Sequence, residues 1–283
     1  MITCNLMGGL GNQIFQIFAT ISYAMKSRNQ FKFTDKDKLG GSSTTLRYTF
    51  WNSFFANLKP FLTSTFPGLH VIREKGFRYN ELLVLEMINR DVLLSGYFQS
   101  YKYFQENYEP ICRIIGLGKM KTELLLSLDL VGKSLEKTIS MHFRLGDYKK
   151  IPEYHPIATY EYYEGALTHI QKQKPHEDFT IYFFCEDDDF EEVKITVDKL
   201  TKRFPRYCFV RCDNTLADWQ QMLLMSCCHH NIIANSSFSW WGAYFNSRED
   251  KIVCYPSVWF GPSANHDTSD LCPPEWIKVP IHL

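Results

Sequence analysis

Apolar positions along the chain alternate between short runs and helical stripes. Ile2 to Met7 predicts a strand, and Gly8-Gly9-Leu10-Gly11-Asn12-Gln13 a tight turn after it. From Gln13 to Arg28, the residues Ile14, Phe15, Ile17, Phe18, Ile21 and Met25 recur at helical spacing. Phe31 to Thr34 predicts a second strand, ending at Asp35. Between Lys38 and Phe66 the aromatics Trp51, Phe54, Phe55 and Phe61 show no period, which predicts loops and short helices packed on a core. Val92 to Gln99 predicts a strand and Tyr101 to Ile115 a helix.

The second half is more regular. Thr138 to Met141, Thr180 to Cys185, Cys208 to Arg211 and the run from Asn231 predict strands. Thr159 to Lys172, Glu191 to Phe204 and Leu216 to His229 predict the helices between them, the last opened by a Thr215-x-x-Asp218 capping box. A final helix is expected from Trp240 to Phe245. Strict β–α alternation predicts an α/β fold with a doubly wound parallel sheet. The opening strand, glycine loop and helix predict a second, Rossmann-like unit before it. Gly116 and Gly118 suggest a hinge, so the expected domains are 1–125 and 126–283, with the boundary between 116 and 136.

In such a sheet, ligands bind at the C-terminal ends of the strands. Four features fall there. His142 and Arg144 share one side of an extended segment, and a guanidinium fork suits phosphate oxygens; the plain alternative is an Arg144–Asp147 surface pair. Asn235, Ser236, Ser237, Phe238 and Ser239 place hydroxyls at a helix start, whose N–H groups and dipole favour an anion; a capped turn without a ligand is the plain alternative. Asp213 ends a strand. Glu186 to Asp189 is a metal-binding acidic cluster or an ordinary helix start, of which the second is favoured.

Composition narrows the partners. Thirty-one basic and thirty-one acidic residues leave no net charge, which argues against nucleic acid or an anionic membrane as the main partner. No run of about eighteen apolar residues predicts a membrane span. The first residues, MITCNLMGGLGNQ, lack the pattern of a signal peptide, so a cytoplasmic protein is expected. Nine cysteines without framework spacing fit a reducing compartment. Cys208 with Cys212, and the run Cys227-Cys228-His229-His230, do not predict converging zinc ligands. An NAD-dependent oxidoreductase would use Gly8, Gly9, Gly11 and Asp35, but Ile14 stands where the third glycine belongs and His142 to Tyr148 would be left unexplained.

Three separated motifs resemble one family. GGLGNQIFQ (Gly8 to Gln16), HFRLGDY (His142 to Tyr148) and NIIANSSFSWWGAYF (Asn231 to Phe245) are similar to those of the bacterial-type α-1,2-fucosyltransferases, glycosyltransferase family 11. His155 and the Tyr162-Tyr163 pair also match. Two positions depart: Leu145 stands where a second arginine is usual, and Cys185-Glu186-Asp187 where Ser-Asp-Asp is common.

The resemblance implies a GT-B fold, with two Rossmann-like domains facing across a cleft, and an inverting transfer. L-Fucose would pass from GDP-β-L-fucose to the 2-hydroxyl of a galactose-terminated glycan, with no cofactor and no required metal. Protein O-fucosyl transfer, or use of another GDP-sugar, is the nearest alternative. Donor-binding residues would be Gly9, Gly11, Asn12, His142, Arg144, Asp213, Asn235, Ser236, Ser237, Phe238 and Ser239. Arg144 would hold the leaving diphosphate and Asp213 the guanine edge. Asp147 is the first candidate for general base and His155 the second.

Overall fold

The structure is a computed structural model that describes residues 1–40, 46–66, 68–83, 91–130, 135–264 and 266–281. The chain divides into two compact units, Met1–Met120 with His266–Pro273, and Lys121–Asn265 with Pro274–Leu283. Each is α/β and built on a parallel sheet.

In the first unit, β1 (Ile2–Cys4) is followed by α1 (Leu10–Lys26). Strands β2 (His70–Arg73) and β3 (Val92–Ser95) complete a parallel sheet of order β1-β3-β2. The first strand stops earlier than its apolar run, because the Met7 N–H turns to Gln16 Oε1 at 2.9 Å. Helix α1 is buried almost all round, and its polar residues find partners within the helix and beyond it: Thr20 Oγ1 donates to Gln16 O at 2.6 Å, and Gln13 Nε2 to Tyr48 O at 2.9 Å. The stretch from Lys38 holds a short antiparallel pair, Lys38–Leu39 with Arg47–Tyr48, and a 3₁₀ turn at Ala56–Phe61; residues 41–45 of it lie outside the described residues. The single helix expected over Tyr101 to Ile115 is broken. Two 3₁₀ turns precede α2 (Tyr108–Ile115), because Phe104 sits between them at φ −138° with its ring buried. Helix α3 (Leu117–Ser127) follows and runs past Met120 into the second unit, so Gly118 is helical and Gly116 is the left-handed stop before it.

The second unit alternates as expected: β4 (Thr138–His142), α4 (Tyr160–Gln173), β5 (Thr180–Phe184), α5 (Phe190–Arg203), β6 (Cys208–Arg211), α6 (Asp218–Cys227), β7 (His230–Ile232) and α7 (Ser237–Tyr244). Strands β8 (Val253–Pro256) and β9 (Ile277–Val279) extend the sheet. All pairings are parallel, in the order β6-β5-β4-β7-β8-β9. The central β4 is buried along its whole length, as a strand covered on both faces must be. Its polar Ser140 accepts from Asn231 Nδ2 on β7 at 2.7 Å. Strand order also fixes a switch point. Succession runs outward from β4 through β5 to β6, then restarts at β7 on the other side of β4. The ends of β4 and β7 therefore flank the crevice where doubly wound sheets take ligands.

Two helix boundaries differ from expectation. Helix α6 begins at Asp218, and the expected capping box is replaced: Gln220 Oε1 accepts the Ala217 N–H at 3.0 Å, while the Thr215 N–H goes to Asp213 Oδ1 at 2.9 Å. Helix α7 starts three residues before Trp240, at Ser237, because Ser236 caps it. Trp240 and Trp241 are core residues, both at 0% exposure. Among the described residues, no helix is long and apolar enough to cross a membrane.

Candidate active site

The loop after β4 alternates inward and outward. Phe143 and Leu145 are buried in the core, which leaves Arg144 between them turned outward. Leu145, at the position of the family's usual second arginine, thus points into the core. Gly146 follows at φ +38°, and a Cβ there would lie 2.9 Å from Glu186 Oε2. Asp189 fastens this loop from the β5–α5 connection. Its buried carboxylate accepts the Gly146 N–H at 2.7 Å and Lys149 Nζ at 2.8 Å. Those bonds, first to Asp189 and then to Glu192, hold the Lys149 ammonium above the usual lysine range.

Arg144 is surrounded. Nη1 donates to Glu186 Oε1, Nη2 donates to Asp147 Oδ1, and the guanidinium lies over the Tyr148 ring, 5.0 Å from its centroid. Tyr148 ties this loop to the end of β7, its hydroxyl donating to Asn235 O at 3.1 Å. The same ring stacks on His155 at 4.5 Å, and Phe260 packs on His155 at 5.5 Å. His155 is therefore part of an aromatic ladder behind Arg144. His142 closes the other side, its ring 5.5 Å from that of Phe238. Burial, reinforced by Arg144, pushes its pKa down to about 3, so its imidazole is neutral at ordinary pH. The Tyr163 hydroxyl fixes the His142 carbonyl at 3.0 Å.

The turn after β7 spends much of its polarity internally. Asn235 Nδ2 donates to Pro156 O at 2.9 Å and Trp259 O at 3.0 Å, fastening two loops. Ser236 Oγ accepts the Phe238 N–H at 3.3 Å as the helix cap. Ser239 is buried, with its hydroxyl 3.5 Å from Ser236 O. Ser237 and Phe238 are the half-buried residues of the turn. The capped-turn and anion-site readings are thus compatible: capping orients the first turn of α7 next to the Arg144 loop.

Arg144, Asp147, His142, His155 and the Asn235–Ser239 turn are brought together around the switch point. Asp213 is not in that contact set. It follows the edge strand β6, exposed, and its carboxylate is held below the usual range by the Thr215 N–H. Gly9, Gly11 and Asn12 belong to the first unit. Gly9 is the N-cap residue of α1 and makes no side-chain cap, while Asn12 Oδ1 accepts Gln99 Nε2 at 2.7 Å.

The acidic run is a helix start. Asp187 accepts Arg211 Nη2 at 2.7 Å, Asp189 anchors the Arg144 loop, and Glu186 caps Arg144. Among the described residues, no cluster of three or more His, Cys, Asp or Glu could hold a metal. The Cys227–His230 run is split between the end of α6 and the start of β7. The roles of Glu186, Asp189 and Tyr148 were not legible locally. Glu186 reaches Arg144 across 42 residues of chain, and only the adjacency of β4 and β5 brings them together.

Comparison with known proteins bears on this arrangement. The model of the family described as Glycosyl transferase family 11 matches residues 80–279. An alpha-1,2-colitosyltransferase of Escherichia coli is 26% identical over 99% of this chain and 99% of its own length. The O-antigen biosynthesis glycosyltransferase WbnK of Escherichia coli is 28% identical over 99% of this chain and all of its own length (100%). Among solved structures, E. coli ADP-heptose lps heptosyltransferase II aligns with a TM-score of 0.37 at 15% identity, over 56% of this chain and 42% of that one.

Proposed function

Because the chain belongs to glycosyl transferase family 11 and is thus a glycosyltransferase, we propose that it moves L-fucose from GDP-β-L-fucose to the 2-hydroxyl of a galactose-type acceptor glycan, forming an α-1,2 linkage with inversion. The observation that carries this reading is the position of Arg144: a guanidinium at the switch point of a parallel sheet, coupled through Tyr148 to the capped start of α7. As the bond from the sugar C1 to the β-phosphate oxygen lengthens, charge gathers on the departing diphosphate. Arg144, Ser237 and the first turn of α7 receive it, and no metal is required. The neutral His142 ring adds a polar contact that brings no charge of its own. Asp147 is the proposed base for the acceptor hydroxyl, released for that task when the diphosphate takes over Arg144. His155 serves mainly by holding Tyr148 in place. Gly9, Gly11, Asn12 and Asp213 are assigned to donor binding on the motif resemblance, Asp213 with the guanine edge.

The test is direct: incubate the protein with GDP-fucose and a panel of galactosides, follow GDP release, and assign the product linkage by NMR. A preorganised donor to a developing anion is worth about 10²–10³ in turnover, and Arg144→Ala is expected to lose that much. Retention of more than about a third of turnover sinks the assignment. A second reading follows from the relative named for colitosyl transfer: colitose replaces fucose as the sugar moved. Parallel assays with the two sugar donors decide between them.

A further inference from the structure

In the structure the guanidinium of Arg144 is already occupied. One terminal nitrogen donates to Glu186 and the other to Asp147, so both ends of the fork a phosphate would use carry a carboxylate. We propose that Glu186 is an internal competitor for the donor's diphosphate: it pairs with Arg144 and must be exchanged for the diphosphate when the donor binds, so it sets donor affinity. The inference rests on the reading of Arg144 as the diphosphate contact.

The two acids that reach this loop from the β5–α5 connection differ in the way this exchange requires. Asp189 has a side chain only 5% exposed and binds a backbone N–H and a lysine, so it is a fixed part of the fold. Glu186 has a side chain 55% exposed, and its partner is an arginine side chain, not backbone. A carboxylate open to solvent on its outer side holds its partner weakly, whereas a diphosphate can engage the fork with two parallel charge-assisted bonds. Glu186 also lies against Gly146, where a Cβ would be 2.9 Å from its Oε2. The glycine thus leaves room for the carboxylate beside Arg144. Arg144, Glu186 and Asp147 together carry one net negative charge, which opposes an incoming anion. Leu145 is buried and apolar, and Lys149 of the same loop is paired with Asp189 and Glu192.

Glu186→Gln separates charge from position. The amide oxygen can still accept from Arg144, but the competing charge is gone. By isothermal titration at low salt, Glu186→Gln is expected to bind GDP about fivefold more tightly than wild type, the equivalent of one exposed charge pair. The gain should shrink as salt is raised. Guanosine, which lacks the phosphates, should bind both proteins equally. If Glu186 merely props Arg144 in place, the variant binds GDP more weakly or equally, and the inference is overturned. Should the amide variant misfold, Glu186→Ala must also tighten GDP binding. Wild type that fails to bind GDP, or Arg144→Ala that binds it unchanged, overturns the diphosphate reading itself, and this inference with it. Wild type that binds through Arg144, with no tightening in the Glu186 variants, overturns only the competition.

Discussion

The two strand-to-helix junctions that carry the outer motifs solve the same problem with different residues. At the start of the first unit, Gln13 Nε2 donates to Gly8 O at 3.0 Å and to Tyr48 O at 2.9 Å. At the start of α7, Asn235 Nδ2 donates to Pro156 O at 2.9 Å and Trp259 O at 3.0 Å. In each, one buried carboxamide bridges two backbone carbonyls. The junctions differ at the helix N-terminus. Helix α7 is capped by the Ser236 hydroxyl, whereas α1 begins at Gly9 with no side-chain cap. The lesson is that much of the polarity in a glycosyltransferase motif is architectural. Side chains that look suited to a ligand, Gln13 and Asn235 among them, hold the loops instead.

Acid should separate the junctions most sharply. His142 packs on Phe238 and His230 opens β7, and burial pushes both to a pKa of about 3, with Arg144 helping at the first and His229 at the second. The folded chain therefore leaves both unprotonated at pH 5, where an unfolded histidine, with a pKa of about 6.5, is charged. Unfolding then takes up protons, so stability is full above about pH 6.5 and falls as pH drops toward 3. Urea titrations across this range should report about two protons taken up per molecule near pH 5. Hydrogen exchange should show β7 and α7 opening before α1. A flat profile would mean that the two imidazoles are not held neutral.

Next in size is Asn235→Ala. It strands two buried carbonyls, at about 1–3 kcal/mol per unsatisfied group, and a loss of about 3 kcal/mol in unfolding free energy is expected. Loss of activity with unchanged stability would return Asn235 to direct ligand contact.

The smallest effects form a pair in the first unit. Gly8 has φ +74°, and a Cβ there would collide with Asn12 Nδ2, so Gly8→Ala should destabilise by about 2 kcal/mol. Gly9 has open space around it and φ −79°, so Gly9→Ala should stay within about 1 kcal/mol of wild type. If Gly9→Ala nevertheless impairs turnover, the open space at Gly9 serves a bound substrate. Equal destabilisation by both would erase the distinction.

Much of this was legible along the chain. The alternation from Thr138 to Phe245 specified the strands and helices of the second unit to within a few residues, because apolar spacing reports which face is buried; the two short strands that extend the sheet, β8 and β9, lie in a Pro-rich stretch without such spacing and were not expected. The early start of α7 and the shift of α6 to Asp218 escaped for a local reason: serine, threonine and aspartate side chains compete for the same backbone N–H groups, and sequence does not say which wins. Asp213 illustrates this, since its carboxylate serves the Thr215 N–H.

By itself, then, the sequence determined the α/β class, the parallel second sheet, and the side of the Arg144 loop that faces outward, since all of these follow from periodicity. Only the tertiary structure decided that β4 and β7 are neighbours with β5 on the other flank. That order makes a crevice of two loops some ninety residues apart, Tyr148 bonding Asn235 across 87 residues. It also sets Glu186 against Arg144. Strand order depends on how sheets and helices bury their faces collectively, and no local pattern encodes it.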